Sequence, residues 1–136
     1  MSPAIYADLQ QSYGRCLRQD NNFIDRFYQR FLASDPRIEA MFANTDFSKQ
    51  RMALRRGISM AILHAEGNSI VERPMNQMAD VHSSKGRAPV PAELYPLWVR
   101  CLLETIRETD PKADEALMAR WREAMEKVTT MFVSRA

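Results

Sequence analysis

Glycine is scarce, four in a chain of 136 residues, while strong helix formers are abundant, which points away from strands and toward an all-α chain. Long apolar runs are missing too. The stretch over residues 60–63 is far short of the roughly 20 residues a membrane helix needs. Residues 1–8 lack the basic-then-apolar order of an export signal, so the expected location is cytoplasmic, with no membrane partner. Charge of one sign is absent: 19 Lys+Arg stand against 17 Asp+Glu, interspersed, for a net charge of +2. That leaves no basic footprint for nucleic acid. Cys16 and Cys101 show no CxxC spacing and fall inside apolar helical patterns, as small core residues do in a reducing compartment. Repeats and low-complexity segments are absent. The apolar share, 46%, and the charged share, 26%, are those of a folded soluble chain, and the length fits one domain over 1–136.

What is present is a series of helical patterns separated by short breaks. The first covers 5–17, with Ile5, Leu9, Tyr13 and Cys16/Leu17 as its stripe. Asp20 and Asn21 offer a cap for the second, where Phe23, Phe27 and Phe31 form one column and Ile24, Tyr28 and Leu32 another, ending near Ser34. Asp35-Pro36 starts a short helix over 36–42. A longer one over 48–65 carries Leu54, Ile58, Ala61, Ile62 and Ala65 inward and stops at Gly67-Asn68. The segment 69–83 is helical, with Pro74 expected to kink or restart it. After a loop over 84–89, Pro91 opens a helix to about Glu108, with Pro96 distorting its first turn. Thr109-Asp110-Pro111 precedes a last helix over 112–133, with Leu117, Trp121, Ala124, Val128 and Phe132 on one face. About seven helices around one core are expected.

Function must be sought in the polar side chains that this periodicity turns inward. At about 100° per residue, His82 falls on the stripe of Met75, Met78 and Ala79. An imidazole there needs a partner for each ring nitrogen: a backbone carbonyl is one, a metal is another. His64, the other histidine, lies off its helix's apolar face. No second His, Cys or carboxylate clusters with His82, so the pattern does not suit a four-ligand zinc site, and a metal that brings its own ligands, such as haem iron, suits a single histidine. Nine methionines are consistent with an interior that packs around an irregular object, and equally with an ordinary core. Tyr28, Gln50 and Trp98 face inward on three different helices. Singly each is core filler or a boundary residue; together they would make a polar spot in an apolar pocket.

The run Phe27-Tyr28-Gln29-Arg30-Phe31, then Asp35-Pro36, Met41-Phe42, Gln50-Arg51-Met52-Ala53-Leu54, Met78-Ala79-Asp80-Val81-His82, Tyr95-Pro96-Leu97-Trp98 and Cys101-Leu102-Leu103, with Trp121 to Phe132, resembles bacterial single-domain globins and the globin domain of flavohaemoglobins. The landmarks fall in order over roughly 20–134. The resemblance implies a three-over-three globin fold around one haem b (iron protoporphyrin IX). It makes His82 the proximal iron ligand, Phe42 the aromatic stacked on the porphyrin, and Tyr28 and Gln50 the distal pair, with Leu54 beside them. Tyr95 is the proximal-side tyrosine. Met78 and Trp98 join the cofactor-binding set from their positions on the inward faces. A phenol donor above a diatomic ligand that gains negative charge stabilises it by a charge-assisted bond.

The resemblance also has departures. Flavohaemoglobins carry a glutamate in the last helix that completes a hydrogen-bond chain to the tyrosine and proximal histidine; the matching position here falls at about Ala136, and Glu126 lies too early. No reductase domain is expected to follow. Trp98 stands where a smaller aliphatic is common. The expected function is therefore reversible binding of a diatomic gas (O2, NO or CO) at a five-coordinate iron. The alternatives are an NO dioxygenase or peroxidase-like enzyme fed by a separate reductase, or a gas or redox sensor acting through a partner protein. Lys85 and Arg87, in the loop after His82, are candidates to reach the haem carboxylates. The protein is expected to be a monomer or a homodimer.

Overall fold

The structure is a computed structural model describing residues 6–135, so Ile5, expected in the first stripe, lies outside the described residues. Seven α-helices run in the order α1 (Ala7–Gln19), α2 (Phe23–Ser34), α3 (Pro36–Met41), α4 (Phe47–Ala65), α5 (Glu72–Val81), α6 (Tyr95–Thr109) and α7 (Glu115–Val133). Short 3-10 turns, Ser69–Val71 and Ala92–Leu94, precede α5 and α6. No strand occurs among the described residues.

Local chemistry sets the boundaries. Asp35 caps α3 by accepting from the Arg37 N–H at 2.8 Å, with Pro36 in the first turn. Asp46 accepts from the Ser48 N–H at 3.0 Å and Asp114 from the Leu117 N–H at 2.8 Å, so α4 and α7 begin on aspartates. The last helix therefore starts at Glu115 rather than at 112: Asp114 is extended and suited to cap, while the Asp110 side chain and carbonyl hold the Lys112 and Ala113 N–H groups in a turn. At the end of α4, Gly67 (φ 78°) donates to His64 and Asn68 to Leu63. This is the left-handed glycine stop, whose reversed bonds satisfy the last carbonyls.

Pro74 neither kinks nor restarts a helix. It is the third residue of α5, where its missing N–H belongs to the first turn and has no intrahelical partner to lose. The break falls earlier, where the 3-10 turn gives way to α5 at Val71. The helix expected from Pro91 is likewise divided, with Pro96 in the first turn of α6.

The helices form two layers. In one, α2 packs on α6 and α6 on α7; in the other, α4 touches α1 and α5. Contacts of α4 with α7 and α2, and of α1 with α6 and α7, close the layers on each other. This is the three-over-three arrangement. Between the layers lie the fully buried Phe23, Phe27, Ile58, Ile62, Leu102 and Trp121, and both cysteines are buried and free. Removing a buried ring such as Phe27 costs about 3–5 kcal/mol.

A buried polar knot fixes the corner between α6 and α7. Trp121 Nε1 donates to Ser12 Oγ at 2.9 Å, and Ser12 donates to Asp110 at 2.6 Å. Arg15 Nε reaches the other Asp110 oxygen at 2.7 Å. Three segments distant in sequence are tied through one carboxylate. No helix among the described residues is long and apolar enough to cross a membrane.

Candidate functional site

His82 is the C-cap of α5 and is half-buried, next to the buried Met75 and Ala79 and the half-buried Met78 of the same stripe. Its backbone N–H and its ring Nδ1 both meet the Met78 carbonyl, at 3.2 and 2.8 Å. A carbonyl only accepts, so Nδ1 carries a proton, and in the neutral ring the lone pair lies on Nε2. Nε2 has no partner among the described residues. The backbone carbonyl thus satisfies one ring nitrogen and leaves the other available, the hydrogen bonding that orients histidines toward metals.

Two aromatic residues continue from the imidazole. The Phe132 ring of α7 lies 5.9 Å from it, centroid to centroid, and 5.8 Å from the Tyr95 ring of α6. The Tyr95 hydroxyl is buried without a hydrogen-bond partner among the described residues, and burial pushes its phenol up to about 12.

The second group sits on α2, α3 and α4. Tyr28 is buried, with Phe27, Phe42 and Phe47 rings at 5.2, 5.8 and 5.5 Å. Gln50 Nε2 donates to its phenolic oxygen at 3.0 Å. Burial raises the Tyr28 phenol to about 12 against the smaller lowering by Gln50, so it stays protonated. Its own proton finds no acceptor among the described residues. Leu54, one turn beyond Gln50, is buried. Phe42 caps α3 and is half-buried, as is Trp98, whose indole meets Phe27 edge-on at 6.2 Å.

Tyr28 and Gln50 are therefore in direct contact, with Phe42 beside them, whereas Trp98 joins the group through Phe27 rather than through a hydrogen bond. Phe132 was expected only as a core residue of the last stripe, and its place between His82 and Tyr95 emerges from the fold. His64 is half-buried on α4, its pKa lowered by burial and by Lys127. Lys85 and Arg87 are exposed and form no ion pair among the described residues. A shallow depression of about 640 Å³ between α2 and α6, lined by Arg26, Arg30, Arg100 and Glu108, contains none of these site residues. Among the described residues no three His, Cys, Asp or Glu side chains gather as a metal site.

The sequence model of the Globin family matches residues 25–132. The chain belongs to the globin family. This globin is 30% identical over 111 residues to a flavohemoprotein of Bacillus cereus (strain ATCC 10987 / NRS 248) and, to the same degree, to a flavohemoprotein of Bacillus anthracis. Each match takes in 80% of this chain and 27% of the relative, so the globin corresponds to about a quarter of those proteins. A crystal structure from Pseudomonas aeruginosa PAO1, of a protein described as structurally highly homologous to a human hemoglobin, superposes with a TM-score of 0.89 at 34% identity. That match covers 96% of this globin and 97% of the other chain. Ala136, the position matching the flavohaemoglobin glutamate, lies outside the described residues.

Proposed function

We propose that this globin binds one haem b through His82 and reversibly takes up a diatomic gas (O2, NO or CO) on the opposite side. The observation that carries this reading is the division of the His82 ring, with Nδ1–H engaged by the Met78 carbonyl and Nε2 without a partner. A lone histidine in that state fits a metal that arrives with four ligands of its own and fits poorly a metal that needs several side chains. Two further observations agree: the Tyr28 phenol has a proton to give, and the half-buried Phe42, Phe47, Met78 and Trp98 offer apolar surface to a flat aromatic group.

Bound haem would supply an iron with one open position for the gas. Met78 holds the imidazole in one tautomer and Phe132 restrains its ring on one side. Gln50 donates to Tyr28, so a Tyr28 lone pair is engaged and its proton is left for another acceptor, which a bound gas would supply. A phenol donor in an apolar setting favours a ligand that carries partial negative charge. Phe42 and Phe47 pack edge-on against the Tyr28 ring and give that donor an apolar surround. Titration of the haem-free protein with haemin, followed at the Soret band, should saturate at one haem per chain. His82→Ala should weaken or shift that band, and a wild-type protein that takes up no haemin would remove the reading.

Carriage is favoured over oxidative chemistry by the acceptor at Nδ1. It is a neutral carbonyl, whereas a carboxylate would draw the proton away and make the imidazole a stronger electron donor. A second reading, NO dioxygenation with electrons from a separate reductase, is supported by the relationship to flavohemoproteins. Sustained turnover with a cellular reductant separates the two, since single-turnover oxidation of NO does not.

A further inference from the structure

The end of α7 contacts α5 at two levels. Phe132 lies against the His82 ring, and Arg135, about one turn later, reaches over the outer side of the same helix. Arg135 Nη1 donates to the Asn76 carbonyl at 3.0 Å and to the Asp80 carboxylate at 2.9 Å, while Nη2 donates to Asn76 Oδ1 at 2.7 Å. In return the Ser84 N–H donates to the Arg135 carbonyl at 3.3 Å. One residue thus grips α5 six and two residues before His82 and also the chain two residues after it.

α5 needs such a tie. It is ten residues long, and its principal neighbours are α4 and the 3-10 turn that precedes it. A helix with so few neighbours has little to fix its rotation, and the guanidinium fork fixes rotation well because its donors are planar and rigid. Its three acceptors include a backbone carbonyl and an amide, so the grip does not depend on the exposed Asp80 charge alone, which would contribute little.

We propose that Arg135 is a positioning residue for His82: by stapling α5 and the following loop to the end of α7, it sets the tilt of the imidazole that Phe132 faces. The proposal rests on the haem reading above, and it adds a residue that touches neither the cofactor nor the gas. It requires that loosening the staple alter the iron–histidine bond while leaving the distal donors alone.

The test uses ferrous, unliganded holoprotein. Resonance Raman should show the iron–histidine stretching band of Arg135→Ala broadened and moved to lower frequency, with Arg135→Lys intermediate. Haem transfer to an acceptor apoprotein should be faster by roughly threefold to tenfold, the ratio that one lost hydrogen bond gives. Asn76→Ala removes the Oδ1 acceptor from the other side while keeping the backbone carbonyl, and should move the band the same way but less, with the double variant adding little to Arg135→Ala. Arg107→Ala, which breaks an exposed ion pair with Glu115 far from α5 in sequence, should leave the band in place. Without haem, the amides of residues 76–84 should exchange faster in Arg135→Ala. An unmoved band in Arg135→Ala, with a normal Soret absorption, overturns the positioning role and leaves the haem reading intact. A wild-type protein without a Soret band overturns both.

Discussion

Gln50 Nε2 donates to the Tyr28 phenolic oxygen across 3.0 Å, joining α4 to α2 through one hydrogen bond. Because the amide gives and the phenol accepts, the Tyr28 proton is left for a third group. In the proposed function, Gln50 orients the donor and Tyr28 is the donor itself.

Tyr28→Phe keeps the ring among Phe27, Phe42 and Phe47 and deletes only that proton. Oxygen release should be faster by at least about tenfold, or about 1.4 kcal/mol, with little change in the entry rate. Gln50→Leu leaves the phenol present but unoriented and should give a smaller acceleration. Flash photolysis and stopped-flow replacement of oxygen by CO measure both, and an unchanged release rate in Tyr28→Phe would show that another group is the main donor.

Gly86→Ala tests the loop that closes behind His82. A Cβ there would stand 2.2 Å from the Val81 carbonyl oxygen and 2.3 Å from that of Asp80, both backbone atoms at the end of α5. The same loop carries the bonds from Ala88 N–H to Val81 and from Val90 N–H to His82. The backbone must shift, at about 1–3 kcal/mol by the measure of overpacked sites. Denaturant midpoints should fall accordingly, and haem loss should accelerate. Wild-type values for both would mean that the loop has room to move.

Much of this was legible in the sequence. The aromatic columns of α2 and the inward stripe of α4 follow from helical spacing, and every residue expected on the α4 stripe is buried. His82, Tyr28 and Gln50 could be singled out as polar groups on apolar faces. That Tyr28 and Gln50 meet could not, because periodicity gives the face of each helix but not the angle at which two helices cross. Phe132 looked like one more core ring for the same reason. Asp110 was legible as a stop signal, yet its carboxylate is buried and accepts from Ser12 and Arg15, contacts made across long stretches of chain. Arg135, beyond the last apolar position, resembles any solvated charge until the fold brings α5 beside it.

Asp110→Asn should destabilise the fold by about 3 kcal/mol, since removing one partner of a buried pair strands the other. Burial alone would raise the Asp110 carboxyl, but the bonds from Arg15, Ser12 and the Lys112 N–H outweigh it and hold it below its ordinary value. The folded state thus keeps the carboxylate where the unfolded chain takes up a proton. Its contribution is present above the unfolded pKa of about 3.9 and is lost as pH falls through the lower folded value. Urea midpoints measured down the acid range should show that loss in wild type and less of it in Asp110→Asn; parallel curves would contradict the assignment.

Alkali should act through the phenols. Burial pushes Tyr13, Tyr28 and Tyr95 up to about 12, while the unfolded chain releases these protons near 10. Unfolding then releases protons between those values, so stability is level below about pH 10 and declines above it. Tyr95→Phe should shallow the decline, and it also deletes a buried hydroxyl that has no partner among the described residues. An identical alkaline slope in Tyr95→Phe would place the titrating groups elsewhere.

The most direct measurement is the absorption spectrum of the ferric, ferrous and CO-bound protein, set beside His82→Gly with and without added imidazole. Wild type should show a Soret band that shifts on reduction and again with CO. His82→Gly should lose the histidine-ligated ferrous form and recover it when imidazole occupies the vacated space. A colourless wild-type protein, or a His82→Gly spectrum identical to wild type before imidazole is added, would contradict the assignment of His82 as the iron ligand.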